Sequence, residues 1–270
     1  MPSTQQTPSS LTSLTLVEGL LPASAPTAEV QHLRQRFRQH LDQGFGARLE
    51  EAAQGETPFI SGAGAYAAEF APTSRVIGER HLATSGARIL GVAHPVPSVE
   101  MAVLIAHLAR RVPSVELAIL ISMRTISSLV PMWRDRVRND MRVLEVEFIH
   151  EPDGRVHAAN GAAVMAAAAS WIQTHADGIL IIAPEGQTVM WRNGVGVPLR
   201  GLGELAASTG AAVIPVVTTG KVNLETFRFD LTVECLPPLK PERDPRVVGE
   251  NWRRAIIEGA GRSALTGGVP

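Results

Sequence analysis

Three groups of residues in this chain have the types and the spacing to do chemistry. His94 directly follows the apolar stretch Arg88–Ala93, and Glu100 stands six positions further on. A histidine, whose ordinary pKa lies near neutrality, suits a general base, and a nearby carboxylate can orient its ring and stabilise the imidazolium. Taken alone, His94 also reads as an ordinary histidine on a strand-to-loop turn. The second group is Pro184-Glu185-Gly186, delivered by the apolar run Gly178–Ala183. A carboxylate at the end of a buried strand can accept hydrogen bonds from a polyol hydroxyl, and a glycine beside it lets a ligand approach the backbone closely. The same tripeptide makes ordinary turns. The third group is cationic: Arg124, Arg134, Arg136, Arg138 and Arg142 cluster together, and Arg192 follows the Pro-Glu-Gly loop. The planar guanidinium fork suits phosphate, whereas the interleaved Asp135 and Asp140 allow a solvated salt-bridge surface instead.

These groups need elements to hold them. From about residue 75 the chain alternates short apolar runs with helical periodicity. Arg88–Ala93, Glu116–Met123, Val143–Ile149, Gly178–Ala183 and Ala211–Val217 read as buried strands, and Phe229–Leu236 alternates as an edge strand does. Helical patterns cover Val99–Arg111, Ala158–His175, Leu202–Ser208 and Val247–Arg262. Repeated strand–helix units predict an α/β fold, a mainly parallel mixed sheet flanked by helices, with ligands near the strands' C-terminal ends. Residues 1–26, rich in Ser, Thr and Pro, read as a flexible tail, and 27–73 as a helical N-terminal segment starting at Thr27. Its Arg34, Arg36, Arg38 and His40 face either anionic lipid or plain solvent. The α/β domain takes 74–270.

Bulk properties exclude several classes. With 45% hydrophobic and 19% charged residues the chain can bury a core. A formal net charge of −1 and few aromatics argue against a nucleic-acid partner. One cysteine, Cys235, makes neither an internal disulfide nor a cysteine-based zinc site. His150 and His157, across the Pro152-Asp153-Gly154 turn, lack acidic partners for a metal, so none is expected. The segment Gly62–Ala67 resembles a dinucleotide fingerprint, but no strand feeds it. No apolar run approaches the ~20 residues of a membrane span, and no secretory leader is read, so the expected location is cytoplasmic, with a peripheral association at a membrane face.

In combination the motifs are more specific. The His94 block, then the strand ending Ala183-Pro184-Glu185-Gly186, then Arg192-Asn193-Gly194, then Val213-Ile214-Pro215-Val216 follow in that order. This order resembles the glycerol-phosphate and lysophospholipid acyltransferase superfamily, with its N-H-x-x-x-x-D, F-P-E-G-T-R and V-P-V-x-P-V blocks, over about residues 74–262. Val76-Ile77-Gly78-Glu79 resembles that family's entry strand. The resemblance implies direct acyl transfer from acyl-CoA or acyl-carrier protein, as co-substrate with no bound cofactor, to a hydroxyl of a lysophospholipid, glycerol phosphate or related lipid acceptor. It implies His94 as the base, Glu100 in the acid's role, and Glu185, Gly186, Arg192 and Arg124 as substrate-binding residues. The chain departs from the pattern where Ala93 replaces the family's Asn, where Val99 replaces its Asp, and where Gln187-Thr188 replaces Thr-Arg. The alternative is a degenerate acyltransferase-fold protein that binds lipid or a partner without turnover.

Overall fold

A computed structural model of the chain describes most of residues 71–262, apart from 84, 94–98, 113, 124–137, 139–140, 151–155, 186–194, 224 and 227, together with single positions between 28 and 70. The strands are β1 (Arg75–Ile77), β2 (Arg88–Val92), β3 (Leu117–Ser122), β4 (Arg142–Val146), β5 (Phe148–His150), β6 (Val156–Ala158), β7 (Ile179–Ile182), β8 (Ala212–Asn223) and β9 (Arg228–Cys235). The helices are α1 (Val99–Arg111), α2 (Gly161–Thr174), α3 (Arg200–Thr209) and α4 (Pro245–Arg262). Seven strands form one sheet in the order β1-β9-β8-β2-β7-β3-β4, while β5 and β6 make a separate antiparallel pair. Only the β8–β9 pairing in the large sheet is antiparallel. The expected mainly parallel mixed sheet flanked by helices is the observed one.

Strand burial follows from position in this order. β2 and β7, covered on both faces, are buried at every residue, so they read as continuous apolar runs rather than alternating ones. Leu90, Val92, Ile179 and Ile181 pack with α1, whereas Ile89, Leu180 and Ile182 pack with α2, α3 and α4 on the opposite face. Pro215 is tolerated within β8 because the β2–β8 ladder uses the residues beside it. Ala212 N–H donates to Ala87 and Ala93 N–H to Val216, a phase that asks for no donor from position 215 on that side.

Three sequence expectations are corrected. The run Val143–Ile149 is two strands, because the chain turns at Glu147. The Asn160 side chain accepts from Glu147 N–H at 2.9 Å and donates to Glu145 O at 3.0 Å, and Ala159 N–H bonds Glu147 O at 2.8 Å. The same turn delays the helix expected from Ala158, which is still in β6, to Gly161. β9 is not an edge strand, since β1 pairs along its outer side in the register Arg75↔Thr232 to Ile77↔Glu234. Its alternation arises from one solvent-facing surface: Phe229, Leu231, Val233 and Cys235 point into the α1 core. Ala63, Phe70 and Ala71 join that same core. Of the N-terminal segment, Ala28, Gln31, His32, Gln35 and Arg36 are helical, and Thr27 lies outside the described residues.

Candidate active site

The chain's course around β2 and β7 makes a topological switch point. From β2 the chain leaves through α1 on one face and passes beyond β7 to β3; from β7 it leaves through α3 on the other face and passes back beyond β2 to β8. Connections that diverge from adjacent parallel strands open a cleft at the strands' C-terminal ends, where doubly wound sheets bind ligands. The two strands at this switch point are the ones that lead into His94 and into Pro184-Glu185-Gly186.

The β2 side is built as follows. Ala93 N–H donates to Val216 O at 2.9 Å, so the ladder holds the chain up to the residue before His94. His94 itself, with Pro95–Ser98, lies outside the described residues, as do Arg124, Gly186 and Arg192. The chain re-enters at Val99, and Glu100 sits in the first turn of α1 with no exposed surface. The free N–H groups and positive dipole end of a helix favour a carboxylate at that position. Val99, at the position where the resembled family carries Asp, is buried in the apolar core.

The β7 side is built around a second buried carboxylate. Glu185, 4% exposed, accepts Gly196 N–H through Oε1 at 2.6 Å. Beside it Pro184 O accepts Leu199 N–H at 2.6 Å. These two bonds tie the returning segment Val195–Leu199 to the end of β7. A third contact comes from α4, where the buried Trp252 indole donates to Gly91 O at 2.8 Å. Sequence reasoning assigned no part to Gly196, Gly91 or Trp252. The one signal available was Gly91 within an otherwise apolar strand, which marks a close approach to the backbone.

Other groups fall away from the chemistry. Burial, with Glu234 and Glu79 nearby, pushes the Cys235 thiol up to about 12, so it is no nucleophile near neutrality. His157 is exposed in β6, opposite Ile149. Among the described residues no group of His, Cys, Asp and Glu could hold a metal ion, and no helix is long and apolar enough to cross a membrane.

The fold is shared with an acyltransferase of known structure. The chain is similar to the crystal structure of the 1-acyl-sn-glycerophosphate acyltransferase PlsC from Thermotoga maritima, with a TM-score of 0.52 over 86% of this chain and 95% of that one, at 12% identity. No family model matches the chain, and no curated protein does.

Proposed function

We propose that the protein moves a fatty acyl group from acyl-CoA or acyl-carrier protein to a hydroxyl of a lysophospholipid, glycerol phosphate or related lipid acceptor. The observation that carries this reading is strand adjacency: the His94 block and the Glu185 block follow the two neighbouring strands at the switch point, on a fold shared with an acyltransferase. The complete burial of Glu100, six residues after His94, supports its part as the orienting acid.

In this mechanism one ring nitrogen of His94 takes the proton of the acceptor hydroxyl as its oxygen attacks the thioester carbonyl. Glu100 is the partner of the other ring nitrogen in this mechanism, its carboxylate stabilising the imidazolium. Backbone N–H groups around the switch point hold the tetrahedral oxyanion. Collapse breaks the C–S bond, the thiolate takes the proton back from His94, and an ester and a free thiol leave. The enzyme is never acylated. Arg124 and Arg192 serve an acceptor phosphate, and Glu185 and Gly186 line the acceptor's polar end.

The test is thiol release from acyl-CoA and acyl-carrier protein over a panel of hydroxyl acceptors. His94→Ala should lower kcat by about 10³-fold, within the range general-base groups supply. Unchanged thiol release in that variant sinks the catalytic reading. Lipid binding without any thiol release from the wild type identifies the binding-only alternative.

A further inference from the structure

Helix α4 is the last described element of the chain, yet it touches the supports of both halves of the candidate site. Trp252 has no exposed surface, and its indole N–H donates to the carbonyl of Gly91 at 2.8 Å. Gly91 lies between Ile182 of β7 and Pro215 of β8, three residues before His94. The indole covers it so closely that a Cβ there would stand 2.6 Å from Nε1 and 2.8 Å from Cδ1, with Cγ of Pro184 at 3.4 Å. Pro184 immediately precedes Glu185. On the same helix, a Cβ on Gly249 would stand 3.3 Å from Cγ of Pro198, and Arg253 donates to Val195 O at 3.4 Å. These contacts flank Gly196, whose N–H Glu185 accepts.

A buried indole N–H needs an acceptor, and here it takes a strand carbonyl next to the candidate site. The ladder phase already turns the Gly91 carbonyl toward the Val216 amide, so the indole supplies a second donor at the strand's end. We propose that Trp252 is a positioning residue of the acyl transfer. Its bond to Gly91 sets the end of β2, the strand that leads into the His94 block, against Pro184 and Glu185, which follow β7. The proposal rests on the acyl-transfer reading and adds to it that α4 fixes how the strand ends leading to the His94 and Glu185 blocks stand against each other.

A pair of substitutions separates positioning from packing. Trp252→Phe keeps most of the ring bulk and removes the N–H. Trp252→His has a smaller ring, but its Cδ2–Nε2 edge follows the geometry of the Cδ1–Nε1 edge of tryptophan and can keep the donor. Trp252→Phe should lose about tenfold or more in kcat with both KM values changed less than about twofold, since small misplacements of reacting groups cost rate rather than binding. Trp252→His should unfold at a lower temperature than Trp252→Phe yet keep more kcat. The proposal is overturned if Trp252→Phe keeps kcat within about twofold of wild type, or if kcat simply follows thermal stability, with His below Phe. Should Trp252→Phe not fold, benzothienylalanine at position 252 removes the donor while keeping the bicyclic shape, with the same kcat criterion. A wild type that folds and releases no thiol overturns the transfer reading, and this proposal with it.

Discussion

At the start of β2 the buried charge is a cation, Arg88; near the far ends of β2 and β7 it is two carboxylates, Glu100 and Glu185. Arg88 donates to the carbonyls of Leu82 and Asp177, knitting the turn before β2 to the turn before β7. Desolvation pulls its pKa below the usual arginine value, with Asp177 opposing that shift, and the group stays charged at any physiological pH. The donors named there go to backbone carbonyls at the bottom of the sheet. At the top, Glu185 holds a returning loop by one backbone amide, and Glu100 occupies a helix start directly after the histidine block. Buried charge at the first end closes the fold; at the second it lies at the topological switch point. The same sheet therefore places the buried cation and the buried carboxylates at opposite strand ends.

Three experiments break or sharpen that contrast, beginning with the largest effect. Glu100→Gln keeps the shape of the side chain and removes its charge. If Glu100 stabilises an imidazolium, kcat should fall by about 10²-fold or more while the melting temperature moves little. An unchanged kcat would make Glu100 a structural group like Arg88 and erase the contrast.

Arg88→Met should do the reverse. Leaving two carbonyls without their charged donor should cost about 3 kcal/mol in urea unfolding. The folded variant should keep kcat within about twofold. A parallel loss of kcat would show that the lower end also sets the site.

The smallest effect concerns α1, which carries Glu100 in its first turn and His107 near its end. Nε2 of His107 lies 3.2 Å from Glu79 Oε1 without forming a hydrogen bond. Desolvation, chiefly, holds its pKa below 6.5, Glu79 opposing and Arg111 and Arg110 adding to the depression. A depressed histidine pKa means that the unfolded chain binds the proton more readily. The associated stability is complete above 6.5 and is lost as pH falls from there toward the folded value. The melting temperature should therefore decline between about pH 7 and pH 5.5, and His107→Gln should flatten that decline. Identical slopes in the two proteins would remove His107 from the account.

Much of the architecture is legible from neighbouring residues. The bounds Val99–Arg111 for α1 match the periodicity, and β2, β3 and β7 fall within one residue of their apolar runs. Periodicity and hydrophobicity are local quantities, so they report local structure. The failures were local patterns overruled at a distance. One amide, Asn160, bent Val143–Ile149 into two strands, and a three-residue strand from far upstream covered the supposed edge at β9.

The candidate site divides along the same line. Residue types and order alone determined that a histidine and a Pro-Glu-Gly carboxylate each follow a buried strand, and that a glutamate stands where a helix begins. Only the tertiary structure decided that these strands, some 90 residues apart in the chain, are neighbours at a switch point. It also decided that Glu100 faces inward, that Gly196 returns to Glu185, and that a tryptophan from the last helix rests on Gly91. The reason is physical. Strand adjacency and side-chain partners come from packing elements against one another, and that packing depends on contacts that no short window of sequence contains.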